Sequence, residues 1–180
     1  MDDPIQVRDK IFVPFIDASK IQRRVREMGA DLARDFAGQH PLFIVVLKGA
    51  YIFAADLLRA CPIGQEVAFV QLASYSGTQS TGRVNQLLGL SQEITGRPVI
   101  IIEDIVDTGR TLSIFKKDVV AEGPGSVHVA TLLHKPDAQQ FDLLPDYVGF
   151  AIPNRFVIGY GLDYDEAGRH LPAIYQLKTP

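Results

Sequence analysis

Three carboxylates stand close together in the stretch VIIIEDIVDTGRT (99–111): Glu103, Asp104 and, three residues on, Asp107. Clustered acids without thiols or imidazoles suit a hard cation such as Mg²⁺, or the hydroxyls of a sugar. The segment DTGRT (107–111) lies before a helical pattern. Such a turn exposes unpaired N–H groups at the positive end of the helix dipole, a ready phosphate site. Gly109 lets the backbone approach a ligand, and Thr108 and Thr111 add hydroxyl donors. Capping of the next helix would account for one acid, because acids favour helix N-termini. It accounts poorly for three together. The residues alone therefore point to Mg²⁺-assisted chemistry on a sugar phosphate. A Walker loop is absent, and GYG (159–161) lacks the third glycine of a dinucleotide fingerprint.

These residues need a scaffold, and the hydrophobic pattern supplies one. LFIVVL (42–47) and RPVIII (97–102) are continuous apolar runs, as expected of strands buried on both faces. EVAFVQLASY (66–75), VNQLLGL (84–90), SVHVATLL (126–133) and YVGFAI (147–152) read as further strands. Ile21, Val25, Met28, Leu32 and Phe36 recur at helical spacing between a capping Asp17 and a stop at Gly38. AYIFAADLLRA (50–60) and the segment from about Gly109 to Glu122 read as two more helices. Strand and helix alternate, which predicts an α/β fold with a mostly parallel sheet flanked by helices. In such sheets ligands bind beyond the C-terminal strand ends, where Glu103 and Asp104 fall. Neighbouring strand residues face opposite sides, so the two need not share one duty. The polar stretch SGTQSTGR (76–83) reads as the tip of a hairpin-like excursion over 66–90, a mobile lid.

Length and composition narrow the class. The 180 residues suit one domain, 1–180, and almost half are hydrophobic. A net charge of −3 without a basic run argues against nucleic acid as a partner. No apolar stretch approaches the roughly 20 residues of a membrane span, and the start of the chain lacks an apolar signal core. The lone Cys61, beside Leu57 and Leu58, reads as a reduced core thiol in a cytoplasmic protein. The four histidines show no metal-ligand spacing.

The stretch VIIIEDIVDTGRT also resembles the phosphoribosyl-diphosphate signature of the type I phosphoribosyltransferases. More narrowly, the chain is similar to the bacterial hypoxanthine-guanine branch. That likeness is carried by LKGA (47–50), SYSGT (74–78), HK (134–135) and FVIGYGLDYDEAGR (156–169). It implies the type I fold, with a small hood built from the N-terminal segment and about 153–180. It implies Mg²⁺-dependent transfer of 5-phosphoribosyl from phosphoribosyl diphosphate to N9 of hypoxanthine or guanine, giving IMP or GMP plus diphosphate. Glu103 and Asp104 match the pair at the ribose hydroxyls and Mg²⁺, and Asp107 the base that takes the N7 proton. Thr108, Gly109, Arg110 and Thr111 match the 5′-phosphate cradle, with Arg110 facing phosphate or solvent. Lys135 matches the donor to purine O6, though by itself it would read as a surface lysine before Pro136. Phe156 matches the ring that stacks on the purine, though by itself it would read as core. Val157 and Leu162 match contacts to the base edge, and Asp163 a ligand of a second Mg²⁺. Lys48 and Gly49 match the diphosphate loop, whose joining bond can be cis in the family, and Arg169 the diphosphate arginine. Ser74 and Tyr75 match the start of the lid. A homodimer or homotetramer is expected. Two other readings stay open: a non-catalytic regulator that senses phosphoribosyl diphosphate on the same fold, and a phosphoribosyltransferase for xanthine or a pyrimidine.

Overall fold

Leu42 to Val46 are all buried, which requires cover on both faces of their strand. The computed structural model, which describes residues 3–64, 66–72, 86–88 (backbone alone) and 92–179, shows how that cover is built. In chain order the elements are β1 (Ile5–Val7), β2 (Lys10–Ile16), α1 (Ala18–Asp35), β3 (Leu42–Leu47), α2 (Tyr51–Ala60), β4 (Glu66–Leu72), β5 (Gln86–Leu88), β6 (Pro98–Val106), α3 (Arg110–Ala121), β7 (Ser126–His134), a single 3₁₀ turn (Pro136–Ala138), β8 (Tyr147–Ala151), β9 (Val157–Ile158) and β10 (Ile174–Leu177).

The large sheet has the order β5-β4-β3-β6-β7-β8. Its strands from β4 to β8 are parallel, and β5 closes one edge antiparallel to β4. Alternation along the strands sorts two cores. Phe43, Val45, Ile100, Ile102, Ala130 and Leu132 face α1 and α2. Leu42, Ile44, Val46, Val99, Ile101 and Val129 face α3, through Leu112, Phe115 and Val119. Gly29 of α1 lies against the backbone of Ala60, where a Cβ would come within 2.6 Å. The missing side chain thus lets the two helices meet closely. Arg24 of α1 donates to the carbonyls of Val148 and Gly149, tying the helix to the edge strand β8. A second, antiparallel sheet, β1-β2-β10-β9, packs around Phe12, Ile158, Ala173 and Tyr175. It carries the segment 156–169 toward the large sheet.

One strand departs from expectation in its length. The strand read as 97–102 runs on to Val106, because β7 continues its ladder to Val106↔His134. Glu103 and Asp104 therefore lie inside the strand's last turn of pleat and not past its end. Asp17 does precede α1, but its side chain makes no capping bond. Its backbone carbonyl accepts from Lys20 and Ile21, and its carboxylate pairs with Lys20 at 3.6 Å. The returning strand read over 84–90 is described only at 86–88. The lid tip 76–83, with Ser74 and Tyr75, lies outside the described residues.

Candidate functional site

The loops leaving β3, β6 and β7 converge, and the segment 156–169 closes over them. Where β3 ends, the chain turns through Lys48 and Gly49 into α2. Gly49 has no room for a side chain: a Cβ there would stand 1.6 Å from Oδ2 of Asp104. On its other side, a Cβ on Gly161 would stand 2.1 Å from the Gly49 carbonyl oxygen. Two glycines thus let Asp104, the diphosphate loop and the GYG turn stack in direct contact. Gly161 has φ +104°, a region that also favours glycine. The cis peptide bond of this loop joins Leu47 to Lys48, one residue before the expected Lys48–Gly49 bond. It falls at the exit of β3, where the chain leaves the ladder.

Glu103 and Asp104 do not act as separately as strand alternation suggested. Each carboxylate turns back to accept from the next backbone N–H, Asp104 N to Glu103 at 3.1 Å and Ile105 N to Asp104 at 2.7 Å. That draws the two carboxyls into contact with each other. Burial pushes both above the ordinary carboxylate range, Glu103 well above it, where the neighbouring Asp104 charge adds to the effect. Two half-buried acids pressed together call for a cation or for hydroxyl donors. Asp163 does not join them; it pairs with Arg169 at 2.8 Å. Among the described residues no group of three His, Cys, Asp or Glu side chains could hold an ion alone. The donor set therefore fits Mg²⁺ held through one or two carboxylates plus substrate oxygens, the usual manner for this ion. It does not fit an all-protein cage built from Glu103, Asp104 and Asp163.

Asp107 and Lys135 meet directly, Nζ to Oδ2 at 2.8 Å. Lys135 is only 6% exposed, so it is not the surface lysine that Pro136 would suggest. Its own N–H donates to the Val106 carbonyl, which fixes the β7 exit beside the β6 exit. After Asp107, Gly109 takes φ +79° and begins α3. Its carbonyl accepts from Ser113, while Thr108 Oγ1 lies 3.4 Å from the Arg110 N–H. Arg110 itself is exposed, and Thr111 sits half-buried beside it.

A brace behind this turn was not visible in the sequence. His134 Nε2 donates to Gln139 Oε1 at 2.8 Å. The Gln139 amide donates in turn to the carbonyls of Phe141 and Leu143, and the N–H groups of Gln140 and Phe141 both reach Thr108 O. His134 stands next to Lys135, so one strand end supplies both the lysine and the brace.

From the second sheet come the remaining candidates. Phe156 is 46% exposed, open to a ligand and unlike a core ring. Its flanks are Phe12 at 6.2 Å and Tyr164, edge-on, at 5.9 Å between centroids. Val157 and Leu162 are buried. Arg169 donates from Nη1 to the Gly161 carbonyl and pairs through Nη2 with Asp163 and Glu166. Lys48 pairs with Glu166 at 3.0 Å, so the β3 loop and the C-terminal segment are joined by charge. Tyr160, between the two glycines of GYG, donates to Asp56 of α2 at 2.5 Å, and burial followed by this bond raises its phenol pKa.

Comparison with known proteins shows the family and the fold. The phosphoribosyl transferase domain family matches residues 16–165. The hypoxanthine-guanine phosphoribosyltransferase of Mycobacterium tuberculosis is 44% identical over 175 residues, covering 89% of this chain and 87% of that protein. The chain belongs to the hypoxanthine-guanine phosphoribosyltransferase family. The enzyme of that name from Streptococcus thermophilus is 43% identical over 159 residues, with 88% of each covered. A crystal structure of such an enzyme from Bacillus anthracis superposes with a TM-score of 0.87 at 38% identity, covering 94% of this chain and 99% of that one. The type I phosphoribosyltransferase fold that the resemblance implied is therefore the fold of this chain, and the parallel sheet expected from the alternation of strand and helix is its centre. As a phosphoribosyltransferase, it draws its candidate site from both sheets. Glu166, Gly161 and the His134–Gln139 brace are additions that residue types alone did not single out, although Glu166 and Gly161 lie inside the C-terminal motif.

Proposed function

We propose that the chain transfers 5-phosphoribosyl from phosphoribosyl diphosphate to N9 of hypoxanthine or guanine, giving IMP or GMP plus diphosphate, in the cytoplasm and as a dimer or tetramer. The observation that carries this reading is the Lys135–Asp107 pair at 2.8 Å. On a free 6-oxopurine protonated at N7, O6 is an acceptor and N7–H a donor, side by side on one edge. A lysine and a carboxylate side by side suit that edge: Lys135 donates to O6, and Asp107 accepts the proton carried on N7 as N9 bonds to the ribose. A 6-aminopurine puts donors against donor-only Lys135.

Phe156 offers its exposed face to the purine ring, held upright by Phe12 and Tyr164. The backbone of Val157 and Leu162 borders the base. Thr108 to Thr111 hold the 5′-phosphate on the free N–H groups at the start of α3. Glu103 and Asp104 accept from the ribose hydroxyls, and Lys48, Gly49 and Arg169 hold the diphosphate as it leaves. Glu103 and Asp104, together with substrate oxygens, would hold Mg²⁺ and Asp163 would hold a second ion, and the metal would supply charge neutralisation for the leaving diphosphate. Ser74 and Tyr75 start the lid that keeps water from the activated sugar.

The test is base choice. Purified protein with Mg²⁺ and phosphoribosyl diphosphate is offered hypoxanthine, guanine, xanthine, adenine and uracil. Adenine is expected to react at least about 10²-fold more slowly than hypoxanthine, since a pocket built to donate rejects an analogue that cannot accept. Lys135→Ala should slow hypoxanthine and guanine strongly and narrow the gap to adenine. Wild-type protein that uses adenine or uracil as readily as hypoxanthine would refute the assignment of Lys135 and Phe156.

A further inference from the structure

Glu166 occupies an odd place for an acid. It stands between Lys48 and Arg169, the two cations that the proposed function gives to the diphosphate. Its Oε1 lies 3.0 Å from Lys48 Nζ and its Oε2 3.1 Å from Arg169 Nη2. One carboxylate therefore bridges the two cations from opposite sides of the site.

We propose that Glu166 is a displaceable stand-in for diphosphate, holding Lys48 and Arg169 together between turnovers and competing with diphosphate for them. This rests on the reading of Lys48 and Arg169 as diphosphate ligands.

The division of labour among the acids supports it. Arg169 is mostly buried, 19% exposed in its side chain, and is fixed independently of Glu166 by Asp163 at 2.8 Å and by the Gly161 carbonyl at 2.9 Å. It keeps its place when Glu166 leaves. Glu166 and Lys48 are 63% and 55% exposed. Exposed pairs of this kind are weak. They are strong enough to gather the two cations and weak enough for a polyanion to displace. The backbone of Glu166 is held, since its N–H donates to Asp163 Oδ2 at 2.8 Å, while the side chain alone makes the bridge. Swinging that side chain aside requires no change in the turn. Diphosphate brings several charges and oxygen acceptors to the same two cations. As it departs, the carboxylate returns and neutralises them, which favours release of the product.

The experiment is titration of inorganic diphosphate, with Mg²⁺ present, into the full-length chain and its variants, read by calorimetry. Glu166→Gln should tighten diphosphate by about threefold to tenfold, as expected when one weakly held competing charge is lost. Glu166→Asp keeps the charge but is too short to span both cations, so it should tighten partway. Thermal unfolding without ligand should move little in either variant, because the pairs are exposed. Lys48→Ala tests the underlying reading and should weaken diphosphate. If Lys48→Ala weakens binding while Glu166→Gln leaves it unchanged or weaker, the stand-in role is wrong and the diphosphate site stands. If neither variant changes binding, the diphosphate site itself is misplaced and the inference falls with it. If Glu166→Asp binds as the wild type does while Glu166→Gln tightens, the charge acts at a distance and the bridge is not the competitor.

Discussion

Gly49→Ala isolates the contact on which the site's geometry depends. The added methyl would lie 1.6 Å from Asp104 Oδ2 and 2.6 Å from its Cγ, where ordinary contact begins at 3.4 Å. About 2 Å must be found, either by rotating the Asp104 carboxylate or by lifting the loop. Neither is free. Asp104 is held by the Ile105 N–H at 2.7 Å and by Glu103, and the loop is capped by Gly161, where an added Cβ would stand 2.1 Å from the Gly49 carbonyl oxygen. Overpacking of this kind costs about 1–3 kcal/mol, or roughly 2–10 °C in unfolding temperature for a domain of this size. Activity should suffer more than stability. A misplacement of about 1 Å costs on the order of 10²-fold, so kcat/KM for phosphoribosyl transfer should fall by at least that factor. Gly38→Ala is the control. Gly38 has φ +73° but no atom within 4 Å of a new Cβ. It therefore carries backbone strain without any contact to the site, and its variant should lose about 1–2 kcal/mol of stability with turnover unchanged. Steady-state kinetics and thermal melts of both variants decide the matter. Turnover of Gly49→Ala within about threefold of wild type would refute the reasoning, because Asp104 could then yield 2 Å without consequence.

Asp107→Asn keeps the size of the side chain and removes the base, so turnover should fall by about 10²–10⁴-fold in a rapid-quench or spectrophotometric assay while phosphoribosyl diphosphate still binds; near-normal turnover would remove Asp107 from the mechanism. Glu103→Gln should stabilise the ligand-free protein while damaging activity. The folded-state pKa of Glu103 is raised above its ordinary value of 4.5 by burial and by Asp104, so the wild type loses stability as pH rises from about 4.5 through that raised value. Chemical denaturation across this window should give a flatter stability profile for Glu103→Gln, and an unchanged slope would show that the acid pair is not under repulsion.

What the sequence reveals and what it hides divide along physical lines. β3 and β6 are legible because runs of four to six consecutive apolar residues have only one stable home, a strand covered on both sides. α1 is legible because a buried stripe must recur with the helix turn. Glu103, Asp104 and Asp107 stand out because acid at the end of such a strand contradicts the burial around it, and only a ligand resolves the contradiction. The end of β6 was misjudged for the reverse reason. Polarity suggested a stop at Ile102, yet the ladder to β7 continues to His134 and holds the acids in strand geometry. Asp17 is the N-cap of α1, as its place before the apolar stripe suggests, but its carboxylate turns to Lys20 instead of the helix N–H groups. Contacts across long stretches of chain leave no local trace at all. Lys48 and Glu166 are separated by 118 positions, and nothing in either neighbourhood announces the other. The same holds for Gly49, Gly161 and Asp104. Their meeting is a matter of vacancy, a pair of absent side chains, and a glycine in a loop looks the same whether it frees the backbone or makes room for a carboxylate. The residue types thus declare the chemistry that a site can hold. The spacing that makes it a site comes from where two sheets are pressed together, and that is a property of packing.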